Sequence, residues 1–144
     1  MKRQWATALC MVVGLFSGCT ARPVTSSGEV SVHISSAAYH KITPEEAKDR
    51  MDAGGVTIVD VRRAEEYEEN HIPGAILVTN ETLKEQAAKR LPAKDAVLLV
   101  YCRTGVRSRQ ASETLVSLGY QQVYDFGGIV DWPFETESGE FQTP

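Results

Sequence analysis

The segment YCRTGVRSRQ, residues 101–110, combines one cysteine, one glycine and three arginines within ten positions. Cys102 ends the apolar run AVLLVYC, which has the composition of a buried strand, and SRQASETLVSLG after it has apolar residues at helical spacing. The order of strand, short loop and helix places Cys102 at the carboxyl end of a strand, close to a helix N-terminus. A cysteine in this position is a candidate nucleophile, because helix N-termini and nearby cations favour the reactive thiolate.

The loop after the cysteine has the features of an anion-binding turn. Gly105 permits a backbone turn that a side chain would block. The N–H groups of such a loop and of the next helix can point at one centre, where the helix dipole also favours negative charge. Arg103, Arg107 and Arg109 add positive charge, and we expect them to surround the sulfur. The alternative is a buried structural cysteine beside solvated arginines, which the glycine and the arginines together disfavour.

The surrounding elements predict an α/β domain. Strands alternate with helices, which is typical of a three-layer fold with a mostly parallel sheet flanked by helices. Thr43, Pro44 and Glu46 form an N-cap, a first helical residue and a capping box, and Asn80 is a candidate N-cap for a later helix. The predicted strands cover 56–61, 96–102 and 122–126 with a brief apolar stretch at 75–78, and the predicted helices cover 43–55, 63–70, 80–91 and 108–119.

The N-terminus has the pattern of an export signal. A basic start precedes an apolar run of 12 residues at 5–16, too short to span a bilayer as a helix. Ser17, Gly18 and Cys19 follow and resemble the lipobox of bacterial lipoproteins, although Phe16 replaces the usual aliphatic residue. The resemblance implies cleavage before Cys19 and a lipid on its sulfur, and hence a periplasm-facing protein attached to a membrane. The alternative is an ordinary secretory signal with Cys19 as a plain thiol.

The domain organisation and the remaining cysteines follow from this interpretation. We expect a signal peptide at 1–18, a tether at 19–38, a folded domain at 39–134 and a loosely held tail at 135–144. Thr20 after the lipidated cysteine favours the outer membrane in a bacterium with two membranes. Cys10 would leave with the signal, so Cys102 would be the one free thiol of the mature chain. The net charge of −4 argues against a nucleic-acid partner.

Three motifs in this order resemble the single-domain rhodanese family: VDVRRAEEYEENHIPGA, LLVYCRTGVRS and GGIVDW. The resemblance covers about 42–132 and implies a three-layer rhodanese-like fold and sulfur transfer through a cysteine persulfide, with no metal or organic cofactor. It implies a small anionic sulfur donor such as thiosulfate and a thiol or cyanide as acceptor. By position, the nucleophile would be Cys102 and the substrate-binding loop would be Arg103, Thr104, Gly105, Val106 and Arg107. Asn70 stands where the family usually has glycine, and we expect it to adopt the left-handed conformation that Asn tolerates.

Other polar residues have a structural interpretation beside a functional one. Asp60 and Arg62 follow the strand predicted to neighbour that of Cys102, and they either shape the rim of the site or hold the backbone beneath it. His71 either pairs with Cys102 or pins its own turn by hydrogen bonding, and we favour the turn. The three histidines, His33, His40 and His71, lack metal-ligand spacing.

Three other functions remain open from the sequence. A cysteine phosphatase or arsenate reductase also holds an anion around a thiolate, but the phosphatase signature has five residues between cysteine and arginine, whereas Cys102 and Arg107 have four between them. A second alternative is a partner-binding rhodanese module without catalysis. A third is a persulfide carrier that delivers sulfur to a protein client.

Overall fold

The computed structural model describes residues 38–141, which form a sheet of five parallel strands with helices on both faces. The predicted lipobox, signal and tether lie outside these residues, apart from Ala38. The elements in chain order are β1 (Tyr39–Lys41), α1 (Pro44–Ala53), β2 (Val56–Asp60), α2 (Ala64–Glu69), β3 (Ile76–Leu77), α3 (Leu83–Arg90), β4 (Val97–Cys102), α4 (Val106–Ser117), β5 (Gln122–Gly128) and a 3₁₀ turn (Ile129–Asp131).

The sheet order is β1-β5-β4-β2-β3, so the strand that ends in Cys102 is the central one. Alternate residues of β4 point to opposite faces. Leu98, Val100 and Cys102 belong to a core cluster with residues of α3 and α4, whereas Leu99 and Tyr101 pack with α1, α2 and Trp132. Helix, sheet and helix therefore form three layers, which confirms the predicted fold class.

Local sequence signals explain where some helices begin. Thr43 accepts a hydrogen bond from the Glu46 N–H, and the Glu46 carboxylate accepts one from the Thr43 N–H, so the predicted capping box is confirmed. The predicted cap at Asn80 is wrong. Residues 79–82 form a turn in which the Thr82 N–H donates to the Thr79 carbonyl, so α3 begins only at Leu83.

Two segments make contacts with partners that are distant in the chain. The three-residue strand β1 is too short to show a period, and it forms by pairing with β5. Residues 135–141, expected to be loosely held, make several contacts with the domain. His71 and Glu137 exchange backbone hydrogen bonds, and Phe141 packs edge-on against Tyr67. Within residues 38–141, no helix has both the length and the apolar composition needed to cross a bilayer.

Candidate active site

Cys102 lies at the carboxyl end of β4 and is only 1% exposed. The Gly105 N–H donates a hydrogen bond to Cys102 Sγ over 3.1 Å. Gly105 is the N-cap of α4 and has a φ of 99°, a left-handed conformation that favours glycine. The chain therefore folds back on the sulfur and places it beside the N-terminus of a 12-residue helix.

A buried polar network fixes this loop from below. The Ser108 hydroxyl lies 2.7 Å from Asp125 Oδ1 and 3.0 Å from the Gly105 carbonyl oxygen, and Ser108 is fully buried. Asp125 also accepts from the Gly127 N–H and the Tyr39 hydroxyl. The Asp125 carboxylate thus joins the first turn of α4 to β1 through Tyr39 and to the end of β5 through Gly127.

The end of β5 packs directly against the cysteine loop. A Cβ added at Gly128 would lie 2.2 Å from the Arg103 carbonyl oxygen and 2.6 Å from Thr104 Cα. The Val130 N–H donates to the same Arg103 carbonyl over 3.3 Å. The conformation of the loop therefore depends on the absence of a side chain at position 128.

The arginines of the motif occupy different places. The guanidinium of Arg107 donates two hydrogen bonds to the carboxylate of Glu66, at 2.7 and 2.8 Å. This pairing raises the pKa of Arg107, against the opposing effect of burial. Arg103 is exposed beside the same cleft. The expectation for Arg109 is wrong, because it points along α4 to Glu113 on the surface.

The remaining loop side chains take little part in the packing. Thr104 is exposed, and Val106 is 65% exposed at the start of α4. The contacts with Cys102 Sγ and Gly128 are made by loop backbone atoms, so these two side chains are free to meet a bound molecule.

The loop borders an open cleft of about 620 Å³, and three arginines and three glutamates line it: Arg63, Glu65, Glu66, Glu81, Arg103 and Arg107. A smaller cavity of about 240 Å³ adjoins it through two shared residues, Glu66 and Arg103. The cleft therefore carries both signs of charge next to the cysteine loop.

Asp60 and Arg62 form a buried ion pair at the end of β2, the strand that neighbours β4 in the sheet. Arg62 Nε and a terminal nitrogen donate to Asp60, with a shortest distance of 2.6 Å, and the pair is nearly inaccessible to solvent. Arg62 also donates to the Asn70 carbonyl oxygen. Asn70 has an extended backbone with a φ of −163°, so the expected left-handed conformation is wrong. The Asn70 N–H donates to the Glu66 carbonyl at the end of α2, and the Asn70 carbonyl accepts from Arg62.

His71 is held within its own turn. Its Nδ1 lies 2.8 Å from the Tyr67 carbonyl, its ring stacks on the Tyr67 ring, and its Nε2 lies 3.3 Å from the Glu137 carboxylate. These contacts occupy both ring nitrogens, in agreement with the turn-pinning interpretation.

Sequence reasoning missed four residues that shape the site: Glu66, Ser108, Asp125 and Gly128. Two of them carried a signal. Asp125 interrupts the apolar strand QVYDF, and Gly128 belongs to a glycine pair directly after it. Glu66 gave none, because it lies within the acidic run EEYEEN, which has the composition of a solvated helix face.

Comparison with known proteins gives consistent matches. The family model for the rhodanese-like domain matches residues 43–134. The chain is 40% identical over 73 residues to the thiosulfate sulfurtransferase PspE of Escherichia coli, covering 51% of this chain and 70% of that protein. It is 34% identical over 95 residues to the thiosulfate sulfurtransferase GlpE of Coxiella burnetii, covering 65% and 87%.

A solved structure shares the architecture. The rhodanese with anions from E. coli has a TM-score of 0.55 and 36% sequence identity, covering 58% of this chain and 98% of that one. The region matched by the family model contains β2 to β5 and the cysteine loop, and it covers well over half of the chain. The chain therefore belongs to the rhodanese-like family.

Proposed function

We propose that the protein is a sulfurtransferase that moves a sulfane sulfur atom from a small anionic donor, such as thiosulfate, to a thiol or cyanide. The observation that carries the proposal is the hydrogen bond from the Gly105 N–H to Cys102 Sγ at the N-terminus of α4. Sulfurtransferase relatives at 34–40% identity support it.

The proposed reaction has two displacements at sulfur. In the first, the Cys102 thiolate attacks the outer sulfur of thiosulfate. A new S–S bond forms, the old one breaks, and sulfite leaves with the bonding pair. In the second, an acceptor thiolate or cyanide attacks the outer sulfur of the Cys102 persulfide, and the Cys102 thiolate leaves. No net oxidation occurs, and no general base is needed when the thiolate is already formed.

The chain's own groups would support each step. The Gly105 N–H and the helix dipole stabilise negative charge on the sulfur, both before attack and when the thiolate leaves. Arg103, exposed at the cleft, attracts an anionic donor and stabilises the charge that develops on the departing sulfite. Thr104 and Val106 are exposed in the same loop and would contact the donor.

Replacement of the nucleophile tests the proposal. Cys102→Ser should abolish thiosulfate-to-cyanide transfer while the protein stays folded, because the serine hydroxyl can still accept from the Gly105 N–H. Arg109→Gln, a change in the same motif but away from the cleft, should retain activity. Substantial transfer by Cys102→Ser would refute the mechanism.

We also propose that the protein is an exported lipoprotein, attached to a membrane through Cys19. The basic start, the apolar run at 5–16 and the sequence SGC support this proposal. Cys19→Ala should block processing or release the domain from the membrane fraction. Wild-type protein without acyl mass in the soluble fraction would contradict the lipid attachment.

A further inference from the structure

Arg107 is held in place by an ion pair across the cleft. Its two terminal nitrogens donate to the two carboxylate oxygens of Glu66, which lies 41 positions earlier in the chain. The side chains of Arg107 and Glu66 are 27% and 26% exposed. Glu66 also accepts from the Arg63 N–H, so its carboxylate is fixed at the start of α2. The positive charge of Arg107 is therefore directed at a carboxylate.

Arg103 is in a different situation. It lines both the cleft and the cavity beside it, and its guanidinium forms no ion pair with any residue among 38–141. The pairing of Glu66 with Arg107 lowers the pKa of Glu66 to about 2, so the carboxylate stays ionised in any neutral solution. Of the two arginines in the cysteine loop, Arg103 is therefore available to a bound anion, whereas the charge of Arg107 is already neutralised.

We infer that Glu66 is a specificity-determining residue that reduces the attraction of the cleft for doubly charged donors. By neutralising Arg107, its carboxylate makes the site less positive than the sequence motif alone would make it. The carboxylate weakens the binding of dianions more than the binding of sulfur donors and acceptors with one negative charge or none, because the Coulomb energy scales with ligand charge. For the identity of the donor this inference rests on the proposed function, but charge selection at Cys102 can be measured without turnover.

The variant Glu66→Gln removes the charge and keeps the shape. The amide oxygen of the new side chain can still accept from Arg107 or from the Arg63 N–H, and a partly exposed pair contributes little to folding, so we expect a folded variant. The KM for thiosulfate should fall by about three- to tenfold while kcat changes less than twofold, and high salt should remove most of the difference. Glu113→Gln, which breaks the surface pair with Arg109, is the matched control and should leave the KM unchanged.

A second measurement separates this inference from the proposed function. Cys102 is alkylated with anionic iodoacetate and with neutral iodoacetamide, and modification of the peptide that contains Cys102 is followed by mass spectrometry. The rate ratio of iodoacetate to iodoacetamide should rise by about two- to threefold in Glu66→Gln, because iodoacetate carries half the charge of thiosulfate, and it should stay near wild type in Glu66→Asp, which keeps the charge.

The outcomes distinguish the two claims. A raised ratio without any sulfur transfer by the wild type would support charge selection by Glu66 and reject the sulfurtransferase proposal. Sulfur transfer by the wild type, with the KM and the alkylation ratio both unchanged in Glu66→Gln, would overturn the inference. An equal rise in Glu66→Asp would also overturn it, because side-chain length and not charge would then be the cause.

Discussion

Gly128 lies so close to Arg103 that a Cβ at position 128 would be 2.2 Å from the Arg103 carbonyl oxygen. The atoms that a Cβ at position 128 would meet belong to the backbone of Arg103 and Thr104. They cannot move aside as the end of a flexible side chain could. Gly128 itself has an ordinary extended conformation, with a φ of −122°. The need for glycine here comes from the approach of the cysteine loop and not from backbone strain at Gly128.

Gly128→Ala should therefore disturb the site more than the fold. We expect the loop to shift by a fraction of an ångström or more and kcat/KM for sulfur transfer to fall by about 100-fold, as small misplacements of reacting groups can do. Gly55→Ala is the control, because Gly55 has a φ of 73° and a Cβ at this position would have no heavy atom within 4 Å. It should cost about 1–2 kcal/mol of stability, because a side chain is strained in the left-handed region, and leave the activity of the folded protein unchanged. Wild-type kcat/KM in Gly128→Ala would contradict the role assigned to the contact.

Asp125→Asn should weaken the hydrogen bonds that hold the cysteine loop at its buried side, through Ser108. The carboxylate of Asp125 accepts from Ser108, Gly127 and Tyr39, whereas an amide offers one acceptor oxygen and an NH₂ that faces these donors. We expect a loss of about 1–3 kcal/mol in the free energy of unfolding, together with a lower kcat. Lys41→Gln, which removes the exposed partner of Asp125, should cost at most about 1 kcal/mol. Denaturant unfolding and steady-state kinetics measure both effects, and equal losses in the two variants would contradict the buried network.

The cysteine loop could be predicted from the sequence because its signals are local. Cys102, Gly105 and the helix N-terminus lie within a few positions of one another, and each follows from strand and helix periodicity and from the freedom of glycine. The central position of β4 was also predictable, since VLLVYC is the most apolar strand.

The partners of the loop could not be predicted because they come from other parts of the chain. Glu66 reaches Arg107 from 41 positions away, and Asp125 reaches Ser108 from 17. An arginine beside a cysteine in the sequence gives no sign of whether it faces the sulfur. Arg109 turns to Glu113 and Arg107 turns to Glu66, and only the folded arrangement of α2 and α4 determines the second of these pairings.

The Glu66–Arg107 pair predicts a dependence of stability on acid. Hydrogen bonding from Arg107 lowers the pKa of Glu66 from 4.5 to about 2, with a smaller contribution from the Arg63 N–H and against the effect of burial. Because the folded pKa lies below the unfolded one, the stabilisation is complete above about pH 4.5 and is lost as the pH falls toward about 2.

Glu66→Gln measures this contribution. The variant should be less stable than the wild type by about 1 kcal/mol at pH 7, since the pair is partly exposed to solvent. Denaturant unfolding at pH 7, 5, 4 and 3 measures the difference in the free energy of unfolding between the wild type and the variant. This difference should become smaller at pH 4 and pH 3. A gap that is constant or widens with acid would show that the pair does not hold the carboxylate ionised in the folded state.

If Cys102 carries the transferred sulfur, intact mass spectrometry will detect the persulfide on the protein. The purified protein is incubated with thiosulfate and freed of excess donor. Its intact mass is then measured before and after treatment with cyanide. We expect a gain of one sulfur atom that is localised to the peptide containing Cys102, lost on treatment with cyanide and absent from Cys102→Ser. No mass gain in a folded protein that still transfers sulfur from thiosulfate to cyanide, or an equal gain in Cys102→Ser, would contradict this role of Cys102.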